Sequence, residues 1–297
     1  LMGRAEKLMP EPASPRRWLS IVGIGEDGLE GLSAAARGLI ADAEIVFGGA
    51  RHLTLAAPLI RGEARPWPSP FSVKEVLDAR GRQVCVLASG DPFLYGVGAT
   101  LAAHIPPEET IAVPAPSAFS LAAARLGWAI ADSALVSLHG RALDRIRPHL
   151  HPGARILALT SDAGGPKALA ALLAESGFGG SRLTVLEALG GPRERVRGTT
   201  ARSFDVDDVG DLNVVALEVE AAPDARIIPC AQGVPDSLYE HDGQITKREI
   251  RALTLSSLAP RRGEMLWDIG AGSGSVAVEW LLAHPSLGAV AIEARED

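Results

Sequence analysis

Two glycine-rich segments, one towards each end of the chain, contain residue types that could bind a nucleotide-like cofactor. The segment LWDIGAGSGSVAVEW (residues 266–280) has the pattern of a strand, a glycine loop and a helix start, and Asp268 ends the strand. The glycines that follow, in G-x-G-x-G spacing, are Gly270, Gly272 and Gly274. The next predicted strand, AVAIEA, ends in Glu293, about where a carboxylate reaches ribose hydroxyls. Because the loop lacks pyrophosphate spacing and has acidic neighbours, it favours S-adenosylmethionine over NAD.

The N-terminal segment VGIGEDG (residues 22–28) formally matches the dinucleotide-binding motif G-x-G-x-x-G after a strand. Glu26 and Asp27 would lie beside a pyrophosphate, where like charge is unfavourable. The next predicted strand, EIVFGG, ends in glycines and not in a ribose-binding carboxylate. A tight turn and a cofactor loop are about equally good interpretations, and NAD is the less favoured cofactor.

The segment LASGDPFLYG (residues 87–96) also has two interpretations. Asp91 and Pro92 are typical of a helix N-cap and first helical position. Alternatively, the loop follows a central buried strand, where ligands of open α/β sheets bind, and Gly90 lets the backbone approach a ligand closely. The residues alone leave both interpretations open.

Cationic residues could recognise an anionic substrate. His139 and Arg141 lie in LVSLHGR, at the end of another predicted strand, although an isolated histidine there is more often a surface or capping group. The sequence also contains two clusters of cationic residues. The first contains Arg141, Arg145, Arg147, His149 and His151, and the second contains Arg193, Arg195 and Arg197. The default interpretation is that these cationic residues lie on solvent-exposed faces of the protein. The alternative is that these clusters meet the carboxylates of a polyanionic substrate.

Strands alternating with Ala-rich helices must position these residues. The predicted strands are WLSIV, EIVFG, QVCVLAS, TIAVPA, ALVSLH, ARILALT, RLTVLEA and LNVVALEV. The predicted helices are SAAARGLIADA, VKEVLDAR, LYGVGATLAAH, AFSLAAARLG and PKALAALLAES. Ser72 and Glu75 predict a capping box for the second helix. The alternation predicts an α/β fold with parallel sheets.

Composition limits the classes of partner. The net charge of −7 provides no general attraction for nucleic acid or an anionic membrane. No apolar run has the length of a membrane-spanning helix. Cys85 and Cys230 are far apart and form no C-x-x-C pair, which argues against a metal site and fits a reducing cytoplasm. Length predicts about two domains, and composition predicts a disordered leader before them and a linker between them, with a softer break near residues 114–116 inside the first domain. The predicted ranges are 1–17 for the leader, 18–220 for the first domain (lobes about 18–115 and 116–220), 221–233 for the linker and 234–297 for the second domain.

Taken together, these motifs resemble the precorrin-6Y C(5,15)-methyltransferase (decarboxylating) family of cobalamin biosynthesis, which fuses a tetrapyrrole methylase to an unrelated methyltransferase. In the first domain, VGIGEDG, LASGDPFLYG, APSAFSLAAARLGW, VSLHGR and ALTSDAGGP carry the resemblance. In the second, GVPDSLYEHDGQITKREIR and LWDIGAGSGS carry it. The order and spacing of the whole set are specific.

The resemblance implies a two-lobed class III methyltransferase fold with S-adenosylmethionine in the cleft between the lobes. The first β-α-β of a Rossmann-like class I methyltransferase would follow, without that domain's remaining strands. The implied cofactor-binding residues are Gly90, Asp91, Ser117, Ala118 and Thr160 in the first domain and Thr246, Asp268, Gly270, Gly272, Gly274 and Glu293 in the second. The implied substrate-binding residues are Gly23, Gly25, His139 and Arg141.

The resemblance further implies methylation of two meso carbons of a precorrin, with loss of carbon dioxide from a ring acetate. A homo-oligomer that binds an anionic tetrapyrrole, without nucleic acid or membrane, is expected. In this reaction a nucleophilic carbon attacks the sulfonium methyl group in line. Positioning of the two reacting groups therefore matters more than acid–base catalysis. No catalytic residue is assigned. Alternatives are a methylase of the same fold acting on RNA or diphthamide, an NAD-dependent oxidoreductase, and a non-catalytic binding module.

Overall fold

The computed structural model describes residues 17–294, which form two compact units. The first unit contains residues up to 130, together with 186–196 and 212–214; the second contains 131–185, 197–211 and 215 onwards. Apart from Arg17, the predicted leader lies outside the described residues. Among the described helices, none is long and apolar enough to cross a membrane.

The first sheet has five strands in the order β3-β2-β4-β1-β5. Its strands are β1 (Leu19–Ile24), β2 (Ile45–Gly48), β3 (Glu63–Pro66), β4 (Val84–Ser89) and β5 (Thr110–Val113). Strand β1 runs parallel to its two neighbours, β4 and β5, pairing Gly23 with Ala88 and Val22 with Val113. Because the strands are parallel, the loops that leave β1, β4 and β5 lie at one edge of the sheet.

Strands β1, β2 and β4 are continuous apolar runs, and both faces of this part of the sheet are buried. One face places Leu19, Ile21 and Val86 in a core with residues of α3 and α4. The opposite face places Val22 and Cys85 in a second core, with residues of α1 and α2. The helices of this region are α1 (Ala34–Ala41), α2 (Ala50–Ala56), α3 (Lys74–Asp78), α4 (Val97–Ala102) and α5 (Ala118–Leu126). Cys85 is fully buried in the second core, and burial raises the pKa of its thiol to about 12.

The second sheet has the order β6-β7-β10-β8-β9. Its strands are β6 (Ser133–Ser137), β7 (Arg155–Leu159), β8 (Arg182–Glu187), β9 (Arg195–Thr200) and β10 (Asn213–Glu218). Helix α6 (Gly165–Glu175) buries Leu169 and Leu173 in the same core as Ile156 of β7 and Val215 of β10. Its apolar residues therefore face the sheet at helical spacing.

The C-terminal region has two helices and a two-stranded parallel sheet. These are α7 (Arg248–Leu258), β11 (Met265–Ile269), α8 (Ser275–Ala283) and β12 (Gly288–Ile292). Its apolar core is small, with Leu255, Trp280 and Leu287 as the buried members.

A buried ion pair supplements this small core. Arg251 of α7, fully buried, donates from Nε to Glu279 Oε1 of α8 at 2.6 Å. Glu279 also accepts the backbone N–H groups of Gly233 and Val234, at 2.7 and 3.0 Å. The guanidinium of Arg251 lies 4.6 Å from the ring centre of Tyr239. The side chains of Arg251 and Glu279 thus join the segment before α7 to both α7 and α8.

All ten predicted strands are confirmed, but two strands, β3 and β9, and two helices, α2 and α7, were not predicted. Strand β3 has the sequence EARP and β9 has RVRGTT; both are mostly exposed strands at the ends of their sheets, so they lack an apolar pattern. Helix α2 is only seven residues long and follows Gly49, which caps it without a side chain.

Two helix starts were predicted wrongly. Val73 is the N-cap of α3, and Ser72 Oγ accepts the N–H of Lys74, so the capping box of Ser72 and Glu75 does not form. Helix α4 begins at Val97, not at Pro92. Asp91 instead forms a turn in which its Oδ1 accepts the N–H of Phe93 at 2.9 Å.

We expect Arg251→Met to destabilise the C-terminal region by about 3–5 kcal/mol, because Glu279 would remain buried without its cation. Hydrogen exchange at the amides of Gly233 and Val234 measures this change directly. The control is Arg182→Met, which removes an exposed 3.9 Å pair with Glu218 and should cost less than about 1 kcal/mol. Unchanged exchange in Arg251→Met would contradict the importance given to the buried pair.

Candidate functional site

Three loops meet at the carboxyl edge of the first sheet. The Gly90 N–H, in the loop after β4, donates to the carbonyl of Ile24 at the end of β1, at 3.2 Å. The Gly90 carbonyl accepts the N–H of Ala115, after β5, at 3.1 Å. The backbone of Gly90 therefore bridges the loops that follow β1, β4 and β5.

Two glycines make this close approach possible. A Cβ at Gly23 would overlap the Gly90 carbonyl oxygen and lie 2.5 Å from the Ala115 nitrogen. Gly90 has φ +53°, and a Cβ there would lie 2.8 Å from the Pro116 carbonyl oxygen. The sequence motif indicates that position 90 is a glycine so that a ligand can approach closely. The structure gives a second reason for this glycine, since the neighbouring loops leave no room for a side chain.

The remaining residues expected at this edge border the same junction. Ser117 caps α5 by accepting the Ser120 N–H at 3.0 Å, and Ala118 is the first residue of the helix. Gly25 precedes Glu26 in the loop after β1. In the loop after β4, Tyr95 has φ +58°, a conformation that is uncommon for a residue other than glycine. The structure thus brings together Gly23, Gly25, Gly90, Asp91, Ser117 and Ala118.

A polar cluster at this edge was missed by the sequence reasoning. Arg51 Nη1 donates to Glu26, and Arg51 Nη2 contacts Ser89 Oγ at 2.9 Å and His52 Nε2 at 2.8 Å. Arg193 Nη2 lies 3.5 Å from Glu26 as well. Arg51 and His52 lie in the unpredicted helix α2, so no predicted element placed them beside Glu26 and Ser89.

This cluster corrects one electrostatic argument made from the sequence. Glu26 was expected to repel a pyrophosphate, but Arg51 and Arg193 compensate its charge. Asp27 is instead packed within its own loop, where its side chain fills the space beside Gly31 and Gly25. The sequence argument against NAD therefore depends on the absence of a ribose-binding carboxylate after β2 and not on Glu26.

The pKa of His52 is lowered from its ordinary 6.5 to about 4, mainly by burial and additionally by the nearby charge of Arg51. The imidazole is therefore neutral at pH 7. Its Nδ1 is buried and has no hydrogen-bond partner within residues 17–294. The neutral ring leaves Arg51 and Arg193 as the two cations of the cluster.

In the second unit, the ends of β6 and β7 bring His139 and Thr160 together. His139 Nδ1 lies 3.3 Å from the Thr160 carbonyl oxygen, and Ser161 Oγ accepts the Gly140 N–H at 3.0 Å. Thr160 is buried, and its side chain occupies the space beside Gly165. Arg141 belongs to the turn after His139, where its N–H donates to the Leu138 carbonyl.

The two cationic clusters predicted from the sequence are not continuous surfaces of free charge. Arg147 donates to Asp144 at 2.6 Å and to Ser176 at 2.8 Å. Arg195 pairs with buried Glu187 at 2.6 Å, and Arg197 donates to the Asp207 carbonyl. Arg193 differs from these residues because its side chain is 80% exposed.

The C-terminal glycine loop connects β11 to α8. Gly270, Gly272 and Gly274 all have positive φ. Glu293, which follows β12, accepts the Gly272 N–H at 2.8 Å, so its carboxylate lies against the glycine loop. Asp268 Oδ2 is buried and, within residues 17–294, has no hydrogen-bond partner. The Thr246 carbonyl accepts a hydrogen bond from Arg251, just before α7.

We expect Gly23→Ala to destabilise the first unit by about 1–3 kcal/mol, because the new methyl group overlaps the Gly90 carbonyl. Gly38→Ala is the matched control, since Gly38 lies within α1 with no atom near its Cβ position. The control should gain about 0.5–1 kcal/mol of stability. Thermal unfolding of both variants measures the two effects; equal midpoints would contradict the close loop contact.

Lowering the pH should destabilise the first unit through His52. Its folded pKa, about 4, lies below the ordinary 6.5, so the unfolded state takes up the proton first. The free energy of unfolding should therefore fall by about 3 kcal/mol as the pH drops from about 6.5 to 4. His52→Gln should remove this component, whereas His104→Gln, at an exposed position, should not. Identical pH profiles for wild type and His52→Gln would refute the assignment.

Comparison with known proteins agrees with this architecture. Residues 19–205 match the family model "Tetrapyrrole (Corrin/Porphyrin) Methylases", and residues 237–297 match "Precorrin methyltransferase domain". A precorrin-6Y methylase structure from Archaeoglobus fulgidus aligns with TM-score 0.52 and 27% identity, covering 69% of this chain and 100% of that one. A uroporphyrin-III C-methyltransferase from Thermus thermophilus, complexed with S-adenosylhomocysteine, shares the fold with TM-score 0.53 and 21% identity, covering 67% of this chain and 91% of that one.

A similar relative is the precorrin-6Y C(5,15)-methyltransferase [decarboxylating] of a Sinorhizobium species. It is 61% identical over 285 residues, which cover 95% of this chain and 69% of the relative. The similarity extends across both matched regions. The chain therefore belongs to the tetrapyrrole methylases and, within them, to the family of the decarboxylating precorrin-6Y C(5,15)-methyltransferases.

Proposed function

We propose that the chain is an S-adenosylmethionine-dependent enzyme that methylates carbon atoms of a precorrin in cobalamin biosynthesis. One observation carries the proposal: a tetrapyrrole methylase region and a precorrin methyltransferase region follow each other in the same chain. The name of the 61% identical relative specifies precorrin-6Y, positions 5 and 15, and decarboxylation. We assign the same substrate class to this chain.

The loops at the carboxyl edge of the first sheet suit a nucleoside cofactor. We propose that Gly90, Asp91, Ser117 and Ala118 contact S-adenosylmethionine there; for Thr160, the proposal of a cofactor contact rests on the family resemblance alone. Support comes from the three loops, whose backbones are bound to one another and so are held in place without a ligand. Gly23 and Gly25, with His139 and Arg141, remain the proposed substrate contacts.

The C-terminal region has a second set of residues that fits the same cofactor. Asp268 presents a buried carboxylate oxygen without a partner among residues 17–294, which an ammonium or sulfonium group would satisfy. Glu293 lies against the glycine loop, within reach of a ribose bound there. We propose that β11, α8 and β12 are the first β-α-β unit of a Rossmann-like class I methyltransferase, with Thr246, Gly270, Gly272 and Gly274 in its cofactor site.

S-adenosylmethionine supplies, when bound, an electrophilic methyl group on a positively charged sulfur. The contribution of the chain is to hold the nucleophilic carbon of the macrocycle in line with that methyl group and to exclude water. Positioning of this kind is worth roughly 7–11 kcal/mol in favourable cases. Loops fixed by backbone hydrogen bonds, such as those joined at Gly90, are suited to this role.

Isothermal calorimetry with S-adenosylhomocysteine tests the proposal. We expect a dissociation constant on the order of micromolar for the chain and no measurable heat with NADH. Gly90→Val should lower the number of sites per chain by one, because the side chain displaces the loop at Pro116. Gly198→Val, at an exposed strand position with open space around it, is the matched control and should bind normally.

Binding of NADH without any heat from S-adenosylhomocysteine would refute the proposed cofactor. An unchanged number of sites in a folded Gly90→Val variant would refute the placement of the first site. Transfer of labelled methyl groups from S-adenosylmethionine to a precorrin prepared enzymatically then tests the substrate class.

A further inference from the structure

The cluster of Glu26, Arg51, His52 and Ser89 lies at the edge of the sheet proposed for cofactor and substrate. Glu26 follows β1, Arg51 and His52 belong to the helix after β2, and Ser89 ends β4. Strand register places Ile24 opposite Ser89, so the loops that carry Glu26 and Gly90 leave the sheet side by side. These side chains are not among the proposed cofactor and substrate contacts.

The charge balance of the cluster leaves an excess cation. Glu26 has a nearly buried side chain, 8% exposed, and both Arg51 and Arg193 contact it. His52 is neutral, because its pKa lies near 4. Two guanidinium groups and one carboxylate leave a local charge of about +1, in a chain whose net charge is −7.

The guanidinium of Arg51 is held in one orientation. Its Nη1 binds Glu26, and its Nη2 lies 2.9 Å from Ser89 Oγ and 2.8 Å from His52 Nε2. Ser89 Oγ and His52 Nε2 are themselves 2.8 Å apart, so the three partners also hold each other. The Arg51 side chain is nevertheless 34% exposed. A fixed, partly exposed guanidinium loses little conformational entropy when it binds an anion.

Arg193 is positioned by the packing of its loop on Glu26. A Cβ at Gly191 would lie 2.6 Å from Glu26 Cβ, so the loop backbone rests directly on the glutamate. The backbone of Arg193 therefore lies close to the cluster, while its side chain is 80% exposed. It is the more accessible of the two guanidinium groups.

We infer that Arg51 and Arg193 together bind a peripheral carboxylate of the tetrapyrrole substrate, with Glu26, His52 and Ser89 as positioning residues. The inference rests on the proposed function for the identity of the ligand. Planar guanidinium groups match carboxylates with two parallel hydrogen bonds, and the acetate and propionate groups of a tetrapyrrole are the anions that this edge would meet. The cluster would thereby orient the macrocycle relative to the Gly90 loop.

Calorimetry with two corrinoid probes tests this inference on the full 297-residue chain. Cobyrinic acid has free peripheral carboxylates, whereas cobinamide has amides in their place. Arg51→Gln should weaken binding of cobyrinic acid about tenfold or more, because a charged hydrogen bond is lost. Arg193→Gln should weaken it about threefold to tenfold. Cobinamide should bind weakly and equally to all variants, and the affinity for S-adenosylhomocysteine should stay unchanged.

Arg80→Gln is the matched control, because Arg80 pairs with Glu109 just before β5, at the amino-terminal edge of the same sheet. Its affinity for cobyrinic acid should equal that of the wild type. If Arg51→Gln also disturbs folding, Arg193→Gln decides the question, since that side chain is largely exposed.

Equal affinities of wild type, Arg51→Gln and Arg193→Gln for cobyrinic acid would overturn the inference, and so would a wild type that does not bind this probe. With S-adenosylhomocysteine still bound, either result would leave the proposed methyltransferase function intact. A wild type that binds cobyrinic acid through Arg51 but binds no S-adenosylhomocysteine would instead refute the proposed function and support the anion site.

Discussion

The pairing of β1 between β4 and β5 is the constraint on which the first unit depends. All six residues of β1 are buried, and the strand is hydrogen-bonded on both sides. Since both faces of the sheet lie in apolar cores, a shift of register by one residue would place the wrong side chains on each face. The contact of Gly23 with Gly90 and Ala115 adds a steric restraint at the end of the strand.

This fixed register concentrates the polar chemistry at the carboxyl edge of the sheet. Strands β1, β2 and β4 are apolar, so near these strands charged side chains first appear where the loops begin. The side chain of Glu26 is nearly buried there, and Arg51 and Arg193 compensate its charge. A buried carboxylate requires such partners, because isolated charge is costly away from water. The same requirement brings residues from three separate segments to one place.

The C-terminal region is stabilised in a different way. Its core has few buried apolar side chains, and the pair of Arg251 and Glu279 holds the segment before α7 against both helices. Burial alone would lower the pKa of Arg251, but the hydrogen bonds to Glu279 and Asp236 outweigh burial and raise it. Because Arg251 also binds the Thr246 carbonyl, the ion pair helps to place a residue proposed to contact the cofactor.

The sequence by itself determined the α/β alternation, the strands that form the centres of both large sheets and the glycine loops at their ends. These features depend on local patterns: apolar runs, helical spacing and glycines at turns. Edge strands β3 and β9 and the short helix α2 were not predictable in this way, because exposed or short elements have no clear apolar period. Only the tertiary structure decided that Arg51, His52, Ser89 and Arg193 surround Glu26, and that Arg251 meets Glu279. Both clusters join side chains distant in sequence, and their pairing follows from the cost of burying charge, which no local pattern encodes.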